Sequence, residues 1–140
     1  MKKFTILFLS AIFIFSCNKK DPAPTCTKSA ASISGSYKIT AMTYKADAAS
    51  SEADVFSLLD ACEKDDIYTF QQNGTYQLKD AGLVCNPSDD DNGTWSVSGN
   101  TMMVDGDDAS IENFDCNTLV LVNTDTQTPG DKFKITLTRQ

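Results

Sequence analysis

The chain has 140 residues, 19 acidic against 12 basic, five cysteines and no histidine. That length suits one domain with a real hydrophobic core. The acidic balance repels nucleic-acid phosphates, and the missing histidine removes the usual base of a catalytic triad and a common zinc ligand.

Met1-Lys2-Lys3 precedes an apolar run from Phe4 to Phe15, which Ser16 and Cys17 close. The run is too short for a comfortable membrane span, so residues 1–16 read as an export signal. Ile14-Phe15-Ser16-Cys17 resembles the lipobox of bacterial lipoproteins, in which the cysteine is lipidated and becomes the new N-terminus. The resemblance implies that Cys17 carries acyl chains and ties the protein to a membrane; each buried methylene adds about 0.8 kcal/mol. Asn18 stands where Asp often marks inner-membrane retention, which points to the outer membrane of a Gram-negative bacterium. Cleavage before Cys17 leaves ten basic residues against 19 acidic ones, a formal charge of −9.

Residues 17–32 read as the lipidated N-terminus and a flexible tether. Pro22 and Pro24 disfavour helix there and keep the chain extended. Cys26 is placed to pin the far end of the tether to a domain spanning residues 33–140.

Alternation dominates from there on. Ser36–Tyr44 carries Tyr37, Ile39 and Ala41 on one face; Ile67–Gln71 carries Tyr68 and Phe70; Thr75–Lys79 carries Tyr76 and Leu78. Thr94–Ser98 offers Trp95 and Val97, and Thr101–Asp105 offers Met102 and Val104. Residues 109–115 contain Ile111 but alternate poorly. Thr118–Asn123 is a continuous apolar strand, and in Lys132–Arg139 the residues Phe133, Ile135 and Leu137 alternate with Lys and Thr. These make about eight short strands. Asn73-Gly74 and Ser98-Gly99-Asn100 predict tight antiparallel hairpins, because such residues accept positive φ. One short helix is expected after the first strand: Val55, Leu58, Leu59 and Cys62 fall on one helical face, with Ser51 as its cap.

With Cys17 assigned to lipid, Cys26, Cys62, Cys85 and Cys116 remain. Four cysteines in an oxidising compartment predict two disulfides, with three possible connectivities. No CxxC spacing occurs, which argues against thioredoxin-like redox chemistry.

The order of these elements resembles the bacterial lipocalin-like domain family, short exported lipoproteins of Gram-negative bacteria. The resemblance covers about residues 33–138 and rests on Gly35-Ser36-Tyr37, Cys62-Glu63-Lys64-Asp65-Asp66, Tyr68-Thr69-Phe70, Asn73-Gly74-Thr75-Tyr76, Cys85 and Gly93-Thr94-Trp95. It implies an all-β fold, an up-and-down antiparallel β-barrel of about eight strands. It implies a Cys62–Cys85 bridge and, with it, Cys26–Cys116. Lipocalins usually carry Gly-x-Trp on the first strand with the Trp on the barrel floor; here that place holds Gly35-Ser36-Tyr37, and Trp95 lies mid-chain.

An eight-stranded barrel can be filled by side chains or hold one small ligand. The many bulky inward residues lean towards filling. The leading expectation by analogy is nonetheless non-catalytic binding of a small hydrophobic molecule, in a pocket bordered by Tyr68, Phe70, Trp95 and Leu121. The alternative is a structural or protein-interaction module of the envelope with a filled barrel and an unidentified protein partner. Arg139, the sole arginine, lies at the C-terminus, which disfavours a buried guanidinium clamp for a fatty acid. No phosphate-binding or dinucleotide motif appears, and no cofactor is expected. The acidic runs Asp89-Asp90-Asp91-Asn92 and Asp105-Gly106-Asp107-Asp108 read as solvated turns rather than calcium loops, since neither fits the spacing of an EF-hand.

Overall fold

Local alternation becomes a closed barrel because the strands pair as antiparallel neighbours, through tight turns at one end and mostly longer loops at the other. In the computed structural model, which describes residues 26–140, the strands are β1 (Gly35–Lys45), β2 (Ala53–Asp54), β3 (Ile67–Phe70), β4 (Thr75–Lys79), β5 (Asp91–Ser98), β6 (Thr101–Val104), β7 (Asp107–Phe114), β8 (Thr118–Thr124) and β9 (Lys132–Arg139). All neighbours are antiparallel, in the order β2-β1-β3-β4-β5-β6-β7-β8-β9, and β1 also pairs with β9. That last pairing closes an eight-stranded up-and-down barrel and leaves β2 as an extra two-residue strand on the end of β1. The export signal, Cys17 and the first part of the tether lie outside the described residues.

Directly opposed residues in an antiparallel pair share a face. The inward face is therefore legible from the register: Ile39 opposite Leu137, Tyr68 opposite Leu78, Phe70 opposite Tyr76, Trp95 opposite Val104 and Leu121 opposite Ile111. The register corrects one strand face. It slips between Ile39 and Ala41, so that Ala41 opposes the outward Thr136 while Met42 opposes Ile135 and Tyr44 opposes Phe133. The extra residue of a β-bulge reverses the alternation beyond it. A second irregularity, between Ile111 and Asn113, accounts for the poor alternation of residues 109–115: Ile111 and Phe114 are both buried, although three residues apart.

One end of the barrel is closed. Ala30–Ile33 forms a helical turn, α1, with Ser29 as its N-cap. It carries Ile33, fully buried, onto the barrel floor beside Tyr37, also fully buried. Residues 26–32, assigned by sequence to the flexible tether, are thus packed onto the domain. Cys26 is bonded to Cys116, and Lys28 Nζ donates to the Ile111 carbonyl at 2.6 Å. Arg139 completes the floor. Its guanidinium donates to the carbonyls of Ser32 at 2.7 Å, Ser34 at 3.0 Å and Cys116 at 2.8 Å, and to the Tyr37 hydroxyl at 2.6 Å. Gly35 makes room for it, since a Cβ there would lie 2.5 Å from Arg139 Nη1.

The expected helix after the first strand is reduced to one 3-10 turn, Phe56–Leu58. Pairing of Ala53 and Asp54 with β1 holds the chain extended just before it. The Asp54 carboxylate, not Ser51, then accepts the N–H groups of Phe56 at 2.9 Å and Ser57 at 3.3 Å. Leu59 is already extended, Leu58 is 78 % exposed, and Cys62 is drawn to Cys85 by the second disulfide. A short polar side chain that caps a turn competes with helix propagation, and here it wins.

Candidate ligand-binding site

The open end of the barrel leads into a cavity of about 360 Å³, within the range of small-molecule sites. Its walls come from β1, β3, β4 and β6 to β9, with Ile39, Tyr68, Phe70, Leu121, Ile135 and Leu137 among the apolar residues. The strands hold these side chains at fixed depth, so the cavity is built on the rigid part of the fold. The small Ala109 of β7 is among the lining residues and leaves space that a bulkier side chain would take up. The interior is filled at the floor, and the cavity lies towards the mouth.

Three of the four residues expected to border a pocket, Tyr68, Phe70 and Leu121, do line it. Trp95 does not. It is buried below the cavity, with its ring 5.1 Å from that of Phe70 and Nε1 donating to the Gln71 carbonyl at 2.8 Å. Its indole packs the floor and satisfies its only donor there. Phe70 is the partition: one part of its surface meets Trp95 and Tyr37, the other lines the cavity.

Polar residues gather at the mouth, where Asp105, Asp107 and Asn123 also line the cavity. Periodicity missed all three, since it marks apolar side chains and these sit in or beside turns. Asp105 is held in place. Its carboxylate accepts the Tyr76 hydroxyl at 2.6 Å and the Thr94 N–H at 2.8 Å, over the space left by Gly93. The Tyr76 hydrogen bond holds the Asp105 carboxyl below its usual range, and the same bond pushes the Tyr76 phenol up.

The loops around the mouth are built on carboxylates that accept backbone N–H groups. Asp80 accepts from Cys85 and Asp89, each at 3.0 Å, and Asp65 accepts from Leu83 at 2.8 Å beneath Gly82, where a side chain would collide with it. Asp131 accepts from Thr126 at 2.7 Å, Gln127 at 2.8 Å and Thr128 at 3.1 Å. Burial alone would raise the Asp131 carboxyl, but these bonds outweigh it and pull it down to about 2. The disulfide Cys62–Cys85 joins the loop before β3 to the loop after β4.

The acidic runs divide between turn and strand: Asp89, Asp90, Asp105 and Gly106 precede the strands, whereas Asp91 and Asn92 open β5 and Asp107 and Asp108 open β7, which corrects their reading as turns throughout. Asp90 pairs with Lys79 and accepts the Asp80 N–H, and Asp91 accepts the Asn92 N–H. Among the described residues no group of three or more acids or cysteines is gathered to hold a metal ion, and no helix is long and apolar enough to cross a membrane.

A family model described as a lipocalin-like domain matches residues 33–137. No curated protein and no solved structure matches the chain. The match begins at Ile33, the floor plug, ends at Leu137 in β9, and so reaches every strand of the closed barrel. With this match and the eight-stranded meander closed by β1 on β9, the chain belongs to the lipocalin-like domain family.

Proposed function

We propose that this protein is a lipid-anchored lipoprotein of the cell envelope whose barrel binds one small hydrophobic molecule without transforming it. The cavity of about 360 Å³, open at one end and walled mainly by aliphatic and aromatic side chains, carries the binding part of the reading. The non-catalytic part is supported by the absence of histidine from the chain and by the use of the lone arginine at the floor, away from the cavity. Anchoring through lipid on Cys17, in the outer membrane of a Gram-negative bacterium, is supported by the sequence of residues 1–18.

Calorimetric titration of the exported, non-reduced protein with decanol tests the cavity. Saturable one-to-one binding is expected, abolished by Ala109→Phe, which places a ring in the void. Absence of saturable binding, or binding that Ala109→Phe leaves unchanged, would rule out the cavity as the site. For the anchor, Cys17→Ser is expected to move the protein from the membrane to the soluble fraction; retention in the membrane would refute it.

A further inference from the structure

The seam between β1 and β3 is paired only at the floor, over Gly35–Tyr37 against Tyr68–Phe70. Towards the mouth the two strands part, and a second space of about 360 Å³ lies there. Ile39 and Tyr68 line both this cleft and the barrel cavity, so the two spaces adjoin at these side chains. The remaining lining is divided by chemistry. Met42, Leu59 and Leu78 supply apolar surface, while Glu63, Asp66, Asp89 and Asp91 supply four carboxylates. No lysine or arginine lines the cleft, and among the described residues none of these four acids takes part in an ion pair.

Asp66 separates this cleft from an ordinary acidic surface. It is only 5 % exposed, and its Oδ1 is buried with no hydrogen-bond partner. Most buried carboxylate oxygens are paired, because leaving one unpaired forfeits its hydration without return. Burial pushes the Asp66 carboxyl up; the Ala81 N–H opposes this, and the charges of Asp80, Asp89 and Asp65 reinforce it. Burial first, and then the charges of Asp66, Asp89 and Glu63, push up the phenol of Tyr68, which lines both spaces. Acids thus line the cleft with no lysine or arginine beside them, and a cation there would relieve both Asp66 and Tyr68.

We propose that the cleft holds the head of an organic cation, an amine or quaternary ammonium, with Asp66 as its counter-ion and its apolar tail in the adjoining barrel cavity. The inference deepens the barrel-binding reading and rests on it. The Tyr68 ring adds a face of the kind that attracts ammonium groups. The disulfide Cys62–Cys85 joins the segments that carry the acids, Glu63 and Asp66 on one side and Asp89 and Asp91 on the other.

The test compares decyltrimethylammonium with decanol, below their aggregation limits, by calorimetry on exported, non-reduced protein carrying Cys17→Ser. The cation is expected to bind about tenfold more tightly than decanol, the scale of one charge-assisted contact. Asp66→Asn should erase that preference and leave decanol binding unchanged. Asp89→Asn should reduce it in part, and Asp108→Asn, on exposed β7 outside the cleft, should leave it intact. Equal affinities in the parent protein, or a preference that Asp66→Asn and Asp108→Asn diminish equally, would overturn the assignment while the barrel reading stands. Failure of both probes to bind would remove the barrel reading itself.

Discussion

The two ends of the barrel are ordered by different chemistry. The floor is apolar: Ile33, Tyr37, Trp95 and Leu119 are buried together, and Arg139 beside them donates to carbonyl oxygens and a phenol. The mouth is acidic: Asp65, Asp80, Asp105 and Asp131 each accept backbone N–H groups and hold the loops by doing so. Each end has its own disulfide, Cys26–Cys116 below and Cys62–Cys85 above. Apolar burial depends little on pH, whereas loops held by ionised carboxylates depend on it directly. The floor therefore supplies stability, and the mouth supplies a shaped but chemically responsive entrance.

Removing the disulfides one at a time separates the ends most strongly. The floor bridge spans 90 residues and the mouth bridge 23. In the chain-entropy model their loss costs about 4.5 and about 3.5 kcal/mol respectively. Chemical denaturation of Cys26→Ser/Cys116→Ser and of Cys62→Ser/Cys85→Ser should show that order, and only the second pair should weaken ligand binding without a matching loss elsewhere. A reversed order would mean that the floor is held by packing alone.

Ile33→Ala asks how much of the floor is the plug. Ile33 is fully buried, so the substitution should cost about 2–5 kcal/mol by denaturant unfolding. If the cost is well below that, α1 is an ornament on a floor already sealed by Trp95 and Phe70.

Acid titration addresses the mouth. The folded-state pKa of Asp131 is depressed to about 2, so its contribution is present above the unfolded carboxylate value and is lost as pH falls through about 2. Asp105 and Asp90, also held low, act in the same direction. Thermal melting followed towards acid should fall steadily in the parent protein, and Asp131→Asn should flatten the last part of that fall. A parallel curve for the variant would show that the β8–β9 loop is held by something other than its carboxylate.

Asp66 gives the smallest effect and the opposite sign. Its folded-state pKa is raised, so stability falls as pH rises through that pKa and is recovered below it. Asp66→Asn should leave the melting temperature at neutral pH unchanged or slightly higher. A clear loss of stability would mean that the buried oxygen has a structural partner, and the cleft would lose its argument for a ligand.

Much of this arrangement was readable in the chain. Asn73-Gly74 and Gly99-Asn100 marked hairpins that do form, because positive φ is a local demand met at Gly74 and Gly99. Tyr68, Phe70 and Leu121 were legible as inward because period-two alternation reports which side of a strand is buried. Trp95 was equally legible as inward, yet it fills the floor and does not line the cavity. Met42 and Phe114 were lost behind the bulges, since one unpaired residue inverts the pattern without leaving a mark in composition. The short helix was overread because apolar spacing cannot reveal that Asp54 caps a turn once the preceding residues are held in a strand.

Local sequence, then, determined the strands, the turns, the acidic surface and the family, all of which follow from alternation, residue chemistry and motif order. Only the tertiary structure decided which end of the barrel is sealed, how deep each inward side chain sits and which carboxylates meet around Asp66. Alternation distinguishes inside from outside but carries no information about depth along the barrel axis. Depth is set by register, and register depends on pairings between residues as far apart in the chain as Tyr37 and Arg139.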